Sequence, residues 1–251
     1  MFAWIRALEQ GRQTPVRLVL NKQRTPYRLA AFLGQKLMAD SAAWMAVLKD
    51  SVDLDSGRWE AQNNLLLFLP DTYEVYWTVA PTVFVERMRG EYRRFWSPER
   101  IKRAQAQGLS PREALILASI IEEETQFHAE RPRIAGVYLN RLRIGMPLQA
   151  DPTIKFALGR FDLRRIGLDH TLTVSPYNTY HRTGLPPGPV CIPSKNALNA
   201  VLAPENHSFL FFCADPQRAG THRFATTFAE HTRNAQLYRK SLDRRGVKIQ
   251  S

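Results

Sequence analysis

Apolar and polar positions change period several times along the chain, and each change marks an element. Val16-Arg-Leu-Val-Leu20 places apolar side chains on alternate positions and reads as a short strand. Thr25-Pro26 then predicts a helix running to about Leu37, with the threonine as N-cap and proline at the first helical position. A second helix is predicted over Ser41 to Leu48, and these pieces make a small α/β satellite. Asp50 to Gly57 is acidic and turn-rich and reads as a linker. The run Leu65 to Tyr76, broken by Pro70, reads as a buried extended segment. Helical spacing returns over Thr82 to Phe95, Pro98 to Gln107, Ser110 onward, and Arg131 to Arg143 with a stop at Gly145. Ser208 to Ala214 and His222 to Ala225 read as a hairpin, and Thr227 to Leu242 as a basic helix. The fold class is therefore α+β, helix-rich with short β-strands, and no internal repeat interrupts it.

Between these elements lies Pro147 to Pro193, rich in Pro, Gly, Thr and Asn. Long irregular stretches of this kind often carry function. Immediately before it, Pro111 to Thr125 predicts an apolar helix that runs into Glu122, Glu123 and Glu124. Ser110-Pro-Arg-Glu113 has the form of a capping box and fixes its start. Ile121, Ile120 and Leu117 lie three, four and seven positions before Glu124, on its own face. A carboxyl group packed over such a face has a raised pKa and becomes a candidate proton donor. Glu122 points to the opposite side, above Ala118, Ser119 and Leu115. The alternative reading is a frayed helix end carrying three acids against the dipole.

A general acid needs groups that hold a substrate. Gln149-Ala-Asp-Pro-Thr153 supplies Asp151 and Thr153 bracketing a turn. Tyr177-Asn-Thr-Tyr180 places two aromatics and two hydrogen-bonding side chains in four residues, a set suited to sugar rings. Gly184-Leu-Pro-Pro-Gly188 is a stiff loop that can wall a groove.

Composition narrows the classes. The chain has 251 residues, 44% of them hydrophobic, enough for one large domain with a satellite. Its net charge of +12 favours an anionic partner: nucleic acid, an anionic membrane face or a carboxylate-bearing cell-wall polymer. No nucleic-acid motif accompanies the charge. The two cysteines, Cys191 and Cys213, are too few for a disulfide framework and read as reduced core residues, although one bridge is possible outside the cytoplasm. The six histidines form no pair at helical metal-ligand spacing, so neither a metal nor another cofactor is expected. No apolar run approaches the length of a membrane span.

Ala118 to Thr125, Ile134 to Arg143, Gly145 to Thr153, Tyr177 to Tyr180 and Gly184 to Gly188 stand in the order that resembles the YceG-like (MltG-type) endolytic murein transglycosylases. Phe68 to Tyr76 resembles that family's entry into its catalytic domain. The resemblance implies a partial LysM-like subdomain and linker over 1–57 and a catalytic domain over 58–251. It implies Glu124 as the catalytic acid and Glu122 as its support. It also implies substrate contacts from Asn140, Gln149, Asp151, Thr153, Tyr177, Asn178, Thr179, Tyr180, Leu185 and Pro186. Glu123 stands where the family often has a basic residue, which is expected to push the Glu124 carboxyl further up. Glu230-His-Thr232 departs from the family pattern, so His231 carries over only weakly. The resemblance further implies glycan strands of peptidoglycan as substrate, and penicillin-binding proteins as neighbours. It implies a single-pass anchor in the bacterial cytoplasmic membrane, upstream of this chain, with the enzyme on the outer side. The expected reaction cuts between N-acetylmuramic acid and N-acetylglucosamine and leaves a 1,6-anhydro end, limiting glycan length. A non-catalytic glycan-binding module, or a hydrolytic muramidase using Glu124 and Asp151, are the alternatives.

Overall fold

The computed structural model describes residues 13–49, 61–163 and 166–244. The chain forms two compact units, Met1–Phe95 and Trp96–Ser251. The linker read at Asp50 to Gly57, and the boundary placed at 57/58, lie outside the described residues. By its internal contacts the chain divides later, after Phe95.

In the first unit, β1 (Val16–Leu20) pairs antiparallel with β2 (Asp71–Val75), with Leu18 opposite Tyr73. Helices α1 (Pro26–Lys36) and α2 (Ser41–Lys49) lie between them in sequence. Thr25 caps α1 by accepting a hydrogen bond from the Arg28 amide at 3.2 Å. Trp44 of α2 is fully buried and meets Phe84 edge-on at 5.5 Å, within α3 (Pro81–Phe95). Residues 65–67, expected to be extended, instead close a 3-10 helix over Ala61–Leu67, and β2 starts only after Pro70. All three leucines are buried, and consecutive buried positions fit a central strand and a packed turn equally well.

The second unit is organised around α5 (Pro111–Glu124), which packs against α4 (Pro98–Ala106), α6 (Arg131–Arg143), α7 (Asp151–Leu158) and α9 (Lys195–Leu202). The capping box at Ser110 and Glu113 forms with both reciprocal hydrogen bonds. Every residue from Ala114 to Glu122 is buried, so α5 has no solvent face over that span. The stretch expected to be irregular holds two helices, α7 and the single turn α8 (Leu168–Thr171). Asp151 and Thr153 thus sit in the first turn of α7, with Pro152 in the helix-opening position, rather than around a loop turn. Helix α9 went unread in the sequence, although Ser194 before Ala197, Leu198, Val201 and Leu202 has the form of a capped amphipathic start. Strands β3 (Phe211–Ala214) and β4 (His222–Ala225) form the expected hairpin, and α10 (Phe228–Arg244) packs on it. Cys191 is buried and Cys213 partly so, and both are free thiols. No helix among the described residues is long and apolar enough to cross a membrane.

Gly136 marks the closest approach in this unit. A Cβ there would stand 2.6 Å from the Glu205 carbonyl oxygen and 2.6 Å from His207 Nε2. The Glu205 amide is itself bonded to the Pro132 carbonyl at 3.0 Å, so the loop has little room to retreat. Gly136→Ala is expected to destabilise the protein by about 1–3 kcal/mol in a urea unfolding titration.

Candidate active site

Glu122 and Glu124 are two residues apart and project about 200° apart around α5. The structure gives them different surroundings. Glu122 faces α9. Its Oε2 accepts a hydrogen bond from the Ser194 hydroxyl, another from the Ser194 amide at 3.2 Å, and an ion pair from Arg131 Nη1 at 3.1 Å. Arg131, 1% exposed, also donates to Ser194 Oγ at 2.8 Å, to Asn196 Oδ1 at 3.1 Å and to the Thr125 carbonyl at 3.4 Å. This network pins the end of α5 to the start of α6 and the N-terminus of α9. Glu122 is a tie, and its position fixes the helix turn that carries Glu124.

Glu124 faces α6 and α7. The Tyr138 hydroxyl donates a hydrogen bond to its carboxyl group. Burial, and then the negative charge of Asp151, push the Glu124 carboxyl up to about 8. The Tyr138 hydrogen bond and the cations Lys155 and Arg141 pull the other way. The leading like-charge neighbour is Asp151 from α7, rather than the adjacent Glu123. Burial and the Glu124 charge hold the Tyr138 phenol well above its ordinary value, so it stays a donor. A carboxyl group placed this way is largely protonated at neutral pH and can return to that form after losing its proton.

The segment Tyr177–Tyr180 assembles beside it. The Tyr180 hydroxyl donates to Asp151 Oδ1 at 2.5 Å. The Thr179 hydroxyl meets the Thr153 hydroxyl at 2.8 Å and accepts from the Ala150 amide at 3.1 Å. Asn178, 2% exposed, spends its side chain on the loop itself. Its Nδ2 donates to the Thr171 and Thr173 carbonyls at 2.8 and 2.7 Å, and its Oδ1 accepts from the Tyr180 amide at 2.9 Å. Tyr177 is buried against Phe156, with ring centroids 4.6 Å apart. Asn178, Thr153, Thr179 and Tyr177 are therefore buried and build the site, whereas Tyr180 is only half-buried. Gln149 is exposed with a φ of 49°, a left-handed conformation rare outside glycine, and its amide is held by the Thr179 carbonyl at 2.9 Å.

Beside these residues opens a groove of about 510 Å³, lined by Pro176, Thr179, His181, Arg182 and the Thr183–Pro187 wall. Leu185 and Pro186 stand in that wall. Asn140 does not join the group. Two positions from Tyr138, it projects to the other side of α6. There its Nδ2 donates to the His207 and Phe209 carbonyls at 2.8 and 3.1 Å, and it lines a separate cavity of about 390 Å³. That placement gives Asn140 a loop-holding role away from Glu124.

Sequence reasoning missed Tyr138, Arg141 and Lys155. Tyr138 and Arg141 are three apart on α6 and share a face, but two polar side chains on a predicted buried face were a usable signal. Arg141 is 6% exposed and donates to the Leu148 carbonyl at 2.6 Å, the Pro147 carbonyl at 3.2 Å and the Leu210 carbonyl at 2.6 Å. Phe211 lies 5.3 Å from the Arg141 guanidinium, and His231 stacks on Phe211 at 5.3 Å, so His231 packs behind the site.

Two stability measurements check these assignments. Arg131→Met strands Glu122 in a buried position and is expected to cost about 3–5 kcal/mol, part of which returns in the double variant with Glu122→Met. Glu124 binds its proton more tightly folded, at about 8, than at its ordinary 4.5. Its contribution is complete below about 4.5 and is lost as pH rises through about 8. Unfolding midpoints of Glu124→Gln are expected to lack that decline across the same window.

The YceG-like family model matches residues 1–237. An endolytic murein transglycosylase of Bacillus subtilis is 39% identical over 130 residues, covering 52% of this chain and 35% of that protein. One of Streptococcus pneumoniae serotype 2 is 29% identical over 213 residues, covering 82% of this chain and 38% of that protein. The chain thus spans little more than a third of the length of these curated relatives. The crystal structure of a yceG-like protein from Listeria monocytogenes superposes with a TM-score of 0.71 at 26% identity, over 92% of this chain and 80% of that one. With a family match over nearly its whole length and that fold, the chain belongs to the YceG-like family.

Proposed function

We propose that this protein is an endolytic murein transglycosylase in which Glu124 serves first as acid and then as base. The observation that carries the reading is the half-buried Glu124 carboxyl, lifted to about 8 and coupled through Asp151 to Tyr180 of the segment that borders the groove. Protonated Glu124 donates to the glycosidic oxygen between N-acetylmuramic acid and N-acetylglucosamine, and the C1–O bond breaks. The resulting carboxylate takes the proton of the muramyl C6 hydroxyl as O6 closes on C1, leaving a 1,6-anhydro end. No water is consumed, and the proton returns to Glu124. Tyr138, Lys155 and Arg141 favour the carboxylate between the two steps, because each pulls its proton affinity down. Asp151 opposes them and prevents the acid from becoming too strong to hold its proton at neutral pH. The names of the relatives support the reaction class.

Glu122 is proposed as the support that holds the turn of Glu124, through Arg131 and Ser194. The first unit is proposed to be LysM-like, a reading supported by its strand, two helices and a returning antiparallel strand. In the whole protein the enzyme would act on nascent strands outside the cytoplasmic membrane, on a single-pass anchor beside penicillin-binding proteins, and so limit glycan length.

The hydrolytic reading places Asp151 as a second carboxylate. Mass spectrometry of products from purified glycan strands separates the two, since hydrolysis leaves a reducing end and adds one water. Anhydro ends released from within strands are expected. Glu124→Gln should keep the fold and lose at least about a thousandfold in cleavage, as expected when a residue serves as both acid and base. A cleaving Glu124→Gln would sink the assignment. Because the starting form is protonated, kcat/KM is expected to fall as pH rises through about 8.

A further inference from the structure

The groove beside Glu124 is more basic than a neutral sugar requires. Its lining residues, Pro176, Thr179 and His181 to Pro187, include no acidic side chain. Arg182 is exposed on its wall, and among the described residues no carboxylate pairs with it. The exposed Thr183 adds a hydroxyl group on the same lining. Arginine with a neighbouring hydroxyl matches the two acceptor oxygens of a carboxylate, which can take both guanidinium donors at once.

The wall is built to keep its shape. Gly184 takes a φ of 82°, where any side chain would be strained, and turns the chain into Leu185-Pro186-Pro187. Two prolines in succession restrict the backbone. From beneath, Arg112 Nη2 donates to the Pro187 carbonyl at 2.5 Å. A volume of about 510 Å³ exceeds what one carboxylate needs. Leu185 and Pro186 offer apolar surface for the aliphatic part of a short peptide.

The groove is also connected to the chemistry. Thr179 lines it and bonds to Thr153, while the next residue, Tyr180, holds Asp151 against Glu124. In murein the sugar whose C1–O bond breaks is the one that carries the peptide branch. A strand placed with that bond at Glu124 therefore brings peptide carboxylates to the neighbouring groove. The net charge of +12 draws an anionic strand toward the protein from any direction, but only a fixed cation in the groove distinguishes branched from bare strands.

We propose that the groove walled by Arg182 to Pro187 binds the carboxylate-bearing peptide branch of the murein strand and makes the enzyme select peptide-bearing over peptide-free glycan. This rests on the transglycosylase reading above and adds the part of the substrate that the groove recognises.

The test compares two probes of equal length: a short glycan carrying peptides with free carboxylates, and the same glycan with its peptides removed by an amidase. Calorimetric binding to the full chain carrying Glu124→Gln is expected to favour the peptide-bearing probe by roughly three- to tenfold, the range of one charge-assisted contact at a partly wetted site. That advantage should shrink as salt is raised. Adding Arg182→Gln is expected to bring the ratio of the two affinities close to one, and adding Arg182→Lys to retain part of it. An unchanged ratio in Arg182→Gln, an equal loss for both probes, or no preference at the outset would overturn the proposal. If both probes are bound and cut without preference, only the peptide site fails. If the intact chain neither binds nor cuts either probe, the transglycosylase reading fails and takes this one with it.

Discussion

The site depends on one constraint: a helix with no solvent face must end in a carboxyl group that is partly shielded from water and not neutralised by an ion pair. Helix α5 is buried on every side from Ala114 to Glu122, so its last turn cannot drift without opening the core. The lock on that turn is the Glu122–Arg131 pair with Ser194. A buried pair of this kind contributes little net stability compared with an apolar replacement, because both ions must be stripped of water. Its value here is register. Once Glu122 is tied toward α9, Glu124 is directed about 200° away, toward α6 and α7. The same helix end thus spends one carboxylate on position and leaves the other, with its raised proton affinity, for the proposed chemistry.

What surrounds Glu124 is a balance of opposed influences. Burial alone would leave a carboxyl group that gives up its proton only with difficulty, and a fully paired cation would leave one that never holds it. The structure places Asp151 against Tyr138, Lys155 and Arg141, and the outcome is a group poised at about 8. Asp151 is in turn restrained by the Tyr180 hydroxyl, so the segment that faces the groove also sets the field at the acid. A substrate that displaces water from the groove would strengthen every one of these influences, since each acts through a lower dielectric once the cleft is closed.

The local elements were legible where sequence carries its own punctuation. Thr25-Pro26, Ser97-Pro98 and Ser110-Pro111 each combine a capping side chain with a proline in the first turn, and all three open helices at those residues. The face of Glu124 was also legible, because helical phase needs only residue spacing. The environment on that face was not. Tyr138, Arg141 and Lys155 come from two other helices, and nothing in their spacing relative to Glu124 encodes the contact. The run at 65–67 failed for a different reason: three buried leucines have no period, so burial could not choose between strand and turn. Where Asn140 stands was not legible either, because a motif read as a string ignores rotation. Within one helix, Tyr138 serves the acid and Asn140 serves the loop at His207 and Phe209.

Arg141 shows how far structure and chemistry share one side chain in this fold. Its guanidinium joins the 147–148 backbone, which leads into Asp151, to the Leu210 carbonyl at the entry to β3, and it also contributes positive charge at Glu124. A lysine could supply the charge but not the fork that reaches separate carbonyls at once. The backbone it holds runs directly into the left-handed Gln149 and then the first turn of α7. A strained residue persists only where its neighbours over-determine it. Here the Arg141 contacts on one side and the Thr179 carbonyl on the other provide that restraint, so the position of Asp151, and through it the proton affinity of Glu124, is set by hydrogen bonds to main-chain atoms rather than by side-chain packing alone.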